Sequence, residues 1–564
     1  MQRRRSWLIW LAGAVMTAIT LALLMRASNL RFENSDDALI LKAFMGFEGG
    51  VPADFSMNMH PLLAGALHAL ALCNPAVPWF SLFQVGLLLL SATVLVKAGF
   101  QLARGQQFPW LAGLAAGCVT LSVCVAFVLC RVNHTTTAAL AGAAAVAQAL
   151  SVTTAHTRGQ AVRGMLLCLL LAATAYLLRL ESVWPALALI LLVFGWQVLY
   201  QPGDKMPHAR GTALVGALTL VCVVAALVGT RLWVVQARGL QADQDWHAAR
   251  IALMDYTDFE ADPAPALAAS GPLDATEIEL ARRWFFMDAA MTTEALQTLA
   301  DAYADEPAPA PVTRLADFLR DNPRQLYTLA ITALLCALCW LGDRRTHPGA
   351  ALAATLALAA ALVFLFYLAL RGRLLARAAD AVLLPAFALT LGLALLKPPK
   401  RGLLRRGLAA LLLLGVLLGT GLQARQTHYE ITRAPDTVSL QREAALERFA
   451  LANPDLLIAR SPNLLRDTRL LPDVSAGVPG NLILWGDWAC HTPGWYAQLA
   501  RYGLDGHALR AQDWLGTPLV LASADPAETD ALCAWLSQAL GMPVAAEPLA
   551  QADEFTVYRM TAAR

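Results

Sequence analysis

The chain has 564 residues, 57% of them hydrophobic and only 15% charged, with a formal net charge of +2 and a mean hydropathy of +0.52. That balance excludes an ordinary soluble globular protein and belongs to the polytopic membrane class. So small a net charge says nothing about partners, and no basic-aromatic stripe suggests nucleic acid.

Behind the basic cap Arg3-Arg4-Arg5, an uncharged run of 19 residues reaches from Trp7 to Met25. It is longer than a signal-peptide core, and Arg26 follows without a clear cleavage site, so it reads as a retained first span. Further uncharged runs long enough to span lie at 78–96, 109–130, 211–230, 348–370 and 407–424, with weaker candidates at 132–155, 164–178, 183–202, 326–342 and 381–396. The run 164–178 holds only 15 residues, so it must be shortened, tilted or continued through Arg179. The sum is a polytopic α-helical membrane protein of about eleven transmembrane helices.

Orientation follows from Lys and Arg. With the N-terminus inside, the inward loops hold Lys97 and Arg104, Arg158 and Arg163, Lys205 and Arg210, Arg344 and Arg345, and finally Lys397, Lys400, Arg401, Arg405 and Arg406. Every one is basic, as the positive-inside rule requires. The expectation is an integral protein of a bacterial inner (plasma) membrane with a cytoplasmic N-terminus. Residues 1–424 form its transmembrane domain, including outer loops 26–77 and 231–325, and residues 425–564 form a soluble extracytoplasmic domain.

In the loop 231–325, Pro-rich pieces at 262–272 and 306–311 flank a helical stretch from about Asp274 to Ala304. Asp274 ahead of Glu277 looks like its start. Its cluster Arg282-Arg283-Trp284-Phe285-Phe286 suits either a helix lying on the membrane surface or one packed on its neighbours. In the tail, Leu456–Ala459, Asn481–Trp485, Pro518–Ala522 and Phe555–Tyr558 read as strands, with helical patterns at 437–452 and 526–540, giving a small α/β domain. Most cysteines (Cys118, Cys124, Cys130, Cys168, Cys222, Cys336, Cys339) fall in apolar runs and act as small hydrophobes. Cys490 and Cys533 are the one plausible disulfide pair. Asp487, Cys490 and His491 would make a conceivable nucleophile cluster, although such a lone cluster is usually structural. There is no Walker loop, GxSxG, HExxH or paired CxxC motif.

The chemistry concentrates at the outward face. Asp36 and Asp37 are adjacent carboxylates just past a membrane boundary, where charge is expensive and often functional. They read as a chemical centre, with helix capping as the plain alternative. His60, ahead of Pro61, joins them or only caps the next helix. Three outward connections that should carry few positive charges hold Arg131 with Asn133 and His134, Arg179 with Glu181, and Arg371, Arg373 and Arg377 ahead of Asp380. Arginines there suit a phosphate or pyrophosphate, which their planar fork binds bidentately. The structural alternatives are an Arg179–Glu181 ion pair, a snorkelling Arg131, and headgroup contacts for the other three.

An acidic pair in the first outer loop and a later His-Pro-Leu resemble the GT-C superfamily of membrane glycosyltransferases. The nearest echo is the polyprenyl-phosphate-mannose:protein mannosyltransferase group, whose first loop carries an Asp-acidic pair and then His-Pro-Pro-Leu. Here these are Asp36-Asp37 and His60-Pro61-Leu62, with Asp in place of Glu and the second Pro missing. The match by motif covers about the first 70 residues, and the rest agrees in layout. The resemblance implies a polyprenyl-phosphate sugar donor, an unidentified acceptor and an active site on the outer face. Asp36 would be the general base; Asp37 and His60 would orient the acceptor, or Asp37 would share Mg2+ or Mn2+ with Asp36. The outer arginines, supported by Glu181 and His134, would hold the donor phosphate, and the anomeric centre would invert. Rival readings are an oligosaccharide polymerase or ligase, of which such an acidic pair is not expected, and a lipid-linked-sugar transporter. A transporter predicts ionisable residues at mid-span, whereas here they sit at span edges.

Overall fold

The computed structural model describes residues 2–27, 30–47, 49–155, 157–200, 207–269, 271–304, 310–341, 349–396, 437–461, 464, 467–486, 488–552 and 555–563. Among them, ten helices are long and apolar enough to cross a membrane: Trp7–Arg26, Trp79–Gly105, Pro109–Cys130, His134–Thr154, Arg158–Leu178, Leu180–Tyr200, Arg210–Ala237, Pro323–Leu341, Ala350–Leu370 and Ala376–Leu396. They are numbered in that order below. The expected run 407–424, the loop lysines and arginines from Lys397 to Arg406, and Lys205, Arg344 and Arg345 lie outside the described residues.

The fifth span solves its shortness at the other end from Arg179. It begins at Arg158 and takes Arg163 into its first turns, reaching 21 residues, while Arg179 is its C-cap in an extended conformation. The chain divides into two compact units, one of Met1–Glu33, Leu82–Thr230 and Pro309–Arg433, the other of Asn34–Ser81, Arg231–Ala308 and Ala434–Arg564.

In the membrane unit the fourth span is the interior helix, buried along its whole length. Its sequence explains why: it is built of Ala, Gly and Thr, and small residues let helix backbones approach closely where lipid gives no hydrophobic drive. A Cβ at Gly142 would sit 2.7 Å from Ala186 Cβ of the sixth span. The ninth span uses the same device on one face, burying Ala350, Ala353, Ala354, Ala357 and Ala361 at helical spacing. A two-residue parallel ladder joins β1 (Arg31–Phe32) to β2 (Arg131–Val132), with Arg31 opposite Arg131.

The second unit holds a five-stranded sheet made of β3 (Leu457–Arg460), β4 (Leu482–Leu484), β5 (Leu519–Ser523), β6 (Val544–Ala552) and β7 (Phe555–Ala562), in the order β4-β3-β5-β7-β6. The first three strands are parallel, and β7 and β6 add antiparallel. Along β3, Leu457 and Ala459 enter one core and Ile458 the other, the period-two alternation of a sheet covered on both faces. The small α/β tail is therefore as expected, apart from β6. That strand is a largely exposed edge interrupted at Pro548, with none of the apolar alternation that marks the others.

One of the two cores is shared with the segment between the seventh and eighth spans: Trp246, Phe285, Leu296 and Tyr303 pack with Trp485, Trp514 and Trp535. Asp274 caps a helix as expected, in a capping box with Glu277, but that helix ends at Arg282 and a second runs Thr293–Asp301. Between them Trp284 turns the backbone at φ 62°. Phe285 and Phe286 are fully buried in the core and Phe286 N–H donates to Trp485 O at 2.7 Å, so these aromatics are packed residues and do not lie on a membrane. Gly486 permits the approach, since a Cβ there would meet Trp284 O at 1.5 Å.

Candidate functional site

The acid pair sits in the first turn of a ten-residue helix, Ser35–Phe44. Its cap is Asn34, whose side chain accepts from Asp37 N–H, so neither aspartate is the N-cap. Adjacent residues on a helix point about 100° apart, and the two carboxylates meet different surroundings. Asp37 is fully buried, whereas Asp36 is half-buried and accepts from Asn34 Nδ2 at 2.9 Å. His60 caps the helix Pro61–Cys73, its Nδ1 accepting from Leu62 N–H at 3.2 Å, which puts the ring proton on Nε2. The ring is buried.

Lys42, on the same helix as the acids, is a residue that sequence reasoning missed. Its ammonium is buried in a cluster with Glu443, Glu447 at 2.7 Å and Asp467 at 3.9 Å. Arg460 lies 3.6 Å from Glu443, and Arg469 pairs with Asp467 at 2.8 Å. Three cations thus face three carboxylates. Burial alone would pull the lysine down, but Glu443, Glu447 and Asp467 hold its pKa above the ordinary value. Asp467 is likewise buried, yet Arg469 and Lys42 keep it below the usual carboxylate range. The acid-bearing helix is fixed to the Thr437–Ala452 helix by this cluster. The only sequence signal was a lysine amid Leu and Phe in a short apolar helix.

The arginines belong to the membrane unit. Arg131 is 6% exposed, with Nη1 donating to Cys130 O at 3.2 Å. The ladder sets Arg31 beside it, and side chains at paired positions of a parallel ladder share a face. Arg31, too, was missed. Asn133 caps the fourth span by accepting from Thr135 N–H at 2.8 Å, and His134 is its buried first residue. Arg179 Nε contacts Glu181 at 3.0 Å, with Glu181 in the first turn of the sixth span, so the expected ion pair is present. The pair is partly exposed and adds little stability.

Arg371 is the C-cap of the ninth span, followed by Gly372 at φ 78°. Arg373 N–H bonds to Leu368 O and Gly372 N–H to Ala369 O, the paired bonds of a Schellman motif, which needs a left-handed residue at that position. Arg314 Nη1 also donates to Ala369 O, adding a cation to this turn. Arg377 enters the tenth span, whose Asp380 is buried against Arg324 and accepts from Gln325 at 3.3 Å. Arg324 also lies over the Phe127 ring at 4.0 Å. Asp380 is thus engaged by the eighth span.

Among the described residues, no three His, Cys, Asp or Glu side chains gather closely enough to hold a metal ion. Cys490 and Cys533 are not joined in the expected disulfide, and the Cys490 thiol donates to Leu484 O. His491 is enclosed between Trp246 and Trp495, with Nδ1 against Tyr496 Oη at 3.0 Å and Nε2 against Phe286 O at 3.2 Å. Burial pulls its pKa to about 4. This is a structural arrangement; Asp487 lies outside the described residues.

No protein-family model and no curated protein sequence matches the chain. Among solved structures, ArnT from Cupriavidus metallidurans aligns in two forms. The one bound to undecaprenyl phosphate gives 11% identity over 98% of this chain and 97% of that one, with a TM-score of 0.35. The apo form gives 12% identity over 96% and 97%, with a TM-score of 0.40. A likeness at those scores decides neither family nor chemistry, and both rest on the residues themselves.

Proposed function

We propose that the protein is a membrane glycosyltransferase of the GT-C type that moves a sugar from a polyprenyl-phosphate donor to an acceptor hydroxyl at the outer membrane face. The observation that carries this reading is the unequal acid pair: a half-buried Asp36 beside a fully buried Asp37, on a helix held by the Lys42 cluster. A general base needs a reachable carboxylate on an element that does not move.

In the proposed step, the acceptor oxygen attacks the anomeric carbon as its proton passes to the Asp36 carboxylate. The bond from that carbon to the phosphate oxygen breaks, the electron pair leaves with the polyprenyl phosphate, and the anomeric configuration inverts. Asp37 and His60 position the Asp36 helix and the acceptor. Arg131, with Arg31 beside it, Arg179, Arg371, Arg373 and Arg377 are the cations offered to the phosphate, where preorganised charge lowers the barrier. Glu181 and His134 support Arg179 and Arg131. Mg2+ or Mn2+ would need ligands besides Asp36, since Asp37 points about 100° away on the same helix, and the base mechanism requires neither ion.

The test is transfer from a panel of radiolabelled polyprenyl-phosphate sugars in membranes containing wild type or Asp36→Asn. Loss of the base should lower turnover roughly 10²–10⁴-fold while the protein stays folded. Equal turnover by the two proteins would remove Asp36 from the reaction.

A further inference from the structure

A second site lies within the membrane unit, at the ends of the spans away from Arg131 and Arg179. A cavity of about 670 Å3 is lined by the first, second, third, fourth and fifth spans, and Lys97, Arg104 and Arg163 contribute to it. No Asp or Glu is among its lining residues. Lys97 is 4% exposed, and among the described residues its ammonium contacts Gln148 Oε1 at 2.6 Å and the Trp10 ring at 4.8 Å, with no carboxylate in ion-pair range. A buried ammonium without a counter-ion is costly, and an amide and a ring face offset only part of that cost. Gly164 lets the fifth span close on this point, since a Cβ there would meet Gln148 Nε2 at 2.9 Å.

We infer that this cavity binds a phosphate-bearing anion, most simply the headgroup of an acidic phospholipid. Its volume is in the range of small-molecule sites, larger than a bare phosphate needs. Trp10 and Trp110 line it, and tryptophan marks the headgroup level of a bilayer. The lining comes from the start of the first, third and fifth spans and the end of the second and fourth, the ends that the Lys and Arg distribution assigns to the inner face. Gln148 stands 14 residues beyond His134 on one helix, about 21 Å at 1.5 Å per residue. The site is thus separate from the outward arginines. Its occupant would supply a counter-ion that the described residues do not offer Lys97.

The experiment measures thermal unfolding of the full chain in phosphatidylcholine nanodiscs, alone, with added phosphatidylglycerol, and with millimolar inorganic phosphate. Phosphatidylglycerol should raise the midpoint by roughly 5 °C, as a ligand bound only to the native state does. Lys97→Gln and Arg163→Gln should lose more than half of that rise, while Arg158→Gln, exposed and outside the lining, keeps it. Should Lys97→Gln fail to fold, the exposed Arg163 decides. A shift reproduced by inorganic phosphate would keep the phosphate chemistry and assign the site to a soluble ligand. No shift from either additive, or equal loss in Arg158→Gln, would overturn the proposal.

Discussion

Replacing Lys42 with Met tests whether the tail holds the acid-bearing helix. The substitution keeps the stem's bulk and removes one of the three cations, leaving Glu443, Glu447 and Asp467 against Arg460 and Arg469. Glu443 is 2% exposed and accepts from Asp467 N–H at 2.7 Å, so it cannot turn to water without breaking a backbone contact. Removing one partner of a buried pair typically costs about 3–5 kcal/mol, chiefly because the other charge is left stranded. For a unit of this size each kcal/mol moves the unfolding midpoint by about 2–4 °C, so a fall of roughly 6–20 °C is expected.

The assay is scanning fluorimetry of purified wild type, Lys42→Met, Glu443→Gln and the double variant. If Lys42 neutralises Glu443, the double variant should lose much less than the sum of the singles, a coupling of more than about 1 kcal/mol. Sugar transfer, measured well below the lowered midpoint, should fall as well, because Asp36 lies on the same short helix. A midpoint within about 1 °C of wild type, or singles that simply add, would refute the clamp.

The remaining expectations concern packing and acid. Gly486→Ala should lower the midpoint by several degrees, because its Cβ would overlap Trp284 O at 1.5 Å, and overpacking a core costs about 1–3 kcal/mol. Gly494→Ala, with open space at its Cβ, is the control, and equal effects would remove the close approach. Acid should also destabilise the second unit. Burial, then Arg250, holds His247 at about 3, and burial holds His491 at about 4. Unfolded imidazoles take a proton near 6.5, so the unfolded state binds more protons between these values and stability falls as pH drops from about 6.5 towards 4. Asp243, raised by burial, opposes this at the acid end. A midpoint that stays flat from pH 7 to 4 would contradict the buried-histidine account.

What the sequence made legible is what solvent or lipid forces on a local stretch. A bilayer demands about twenty apolar residues with every backbone group paired, so most spans announce themselves. The fourth span was a weaker signal, with a hydropathy of 1.3 against 2.4 for the ninth, because a helix with no lipid face has no need of large apolar side chains. Low hydropathy there marked the centre of the unit. The helix expected from Asp274 to Ala304 failed for a related reason. Its start is a local capping box and was readable, but its break at Trp284 answers to Trp485 and Gly486, about 200 residues further on.

Distance along the chain separates the readable part of the candidate site from the rest. Asp36, Asp37 and His60 could be singled out by type and by nearness to a span end. That Asp37 is buried while Asp36 is half-buried depends on how their helix packs, and its Lys42 meets Glu443 and Glu447 across 401 and 405 residues. Arg31 finds Arg131 across a ladder that no local pattern encodes. A buried charged residue in an apolar helix therefore carries information as an unpaid desolvation cost, since something elsewhere must neutralise it. Lys42 and Lys97 pose that question alike. For Lys42 the chain supplies the carboxylates, whereas for Lys97 the described residues supply an amide and an indole, which is why a bound anion is the proposal there.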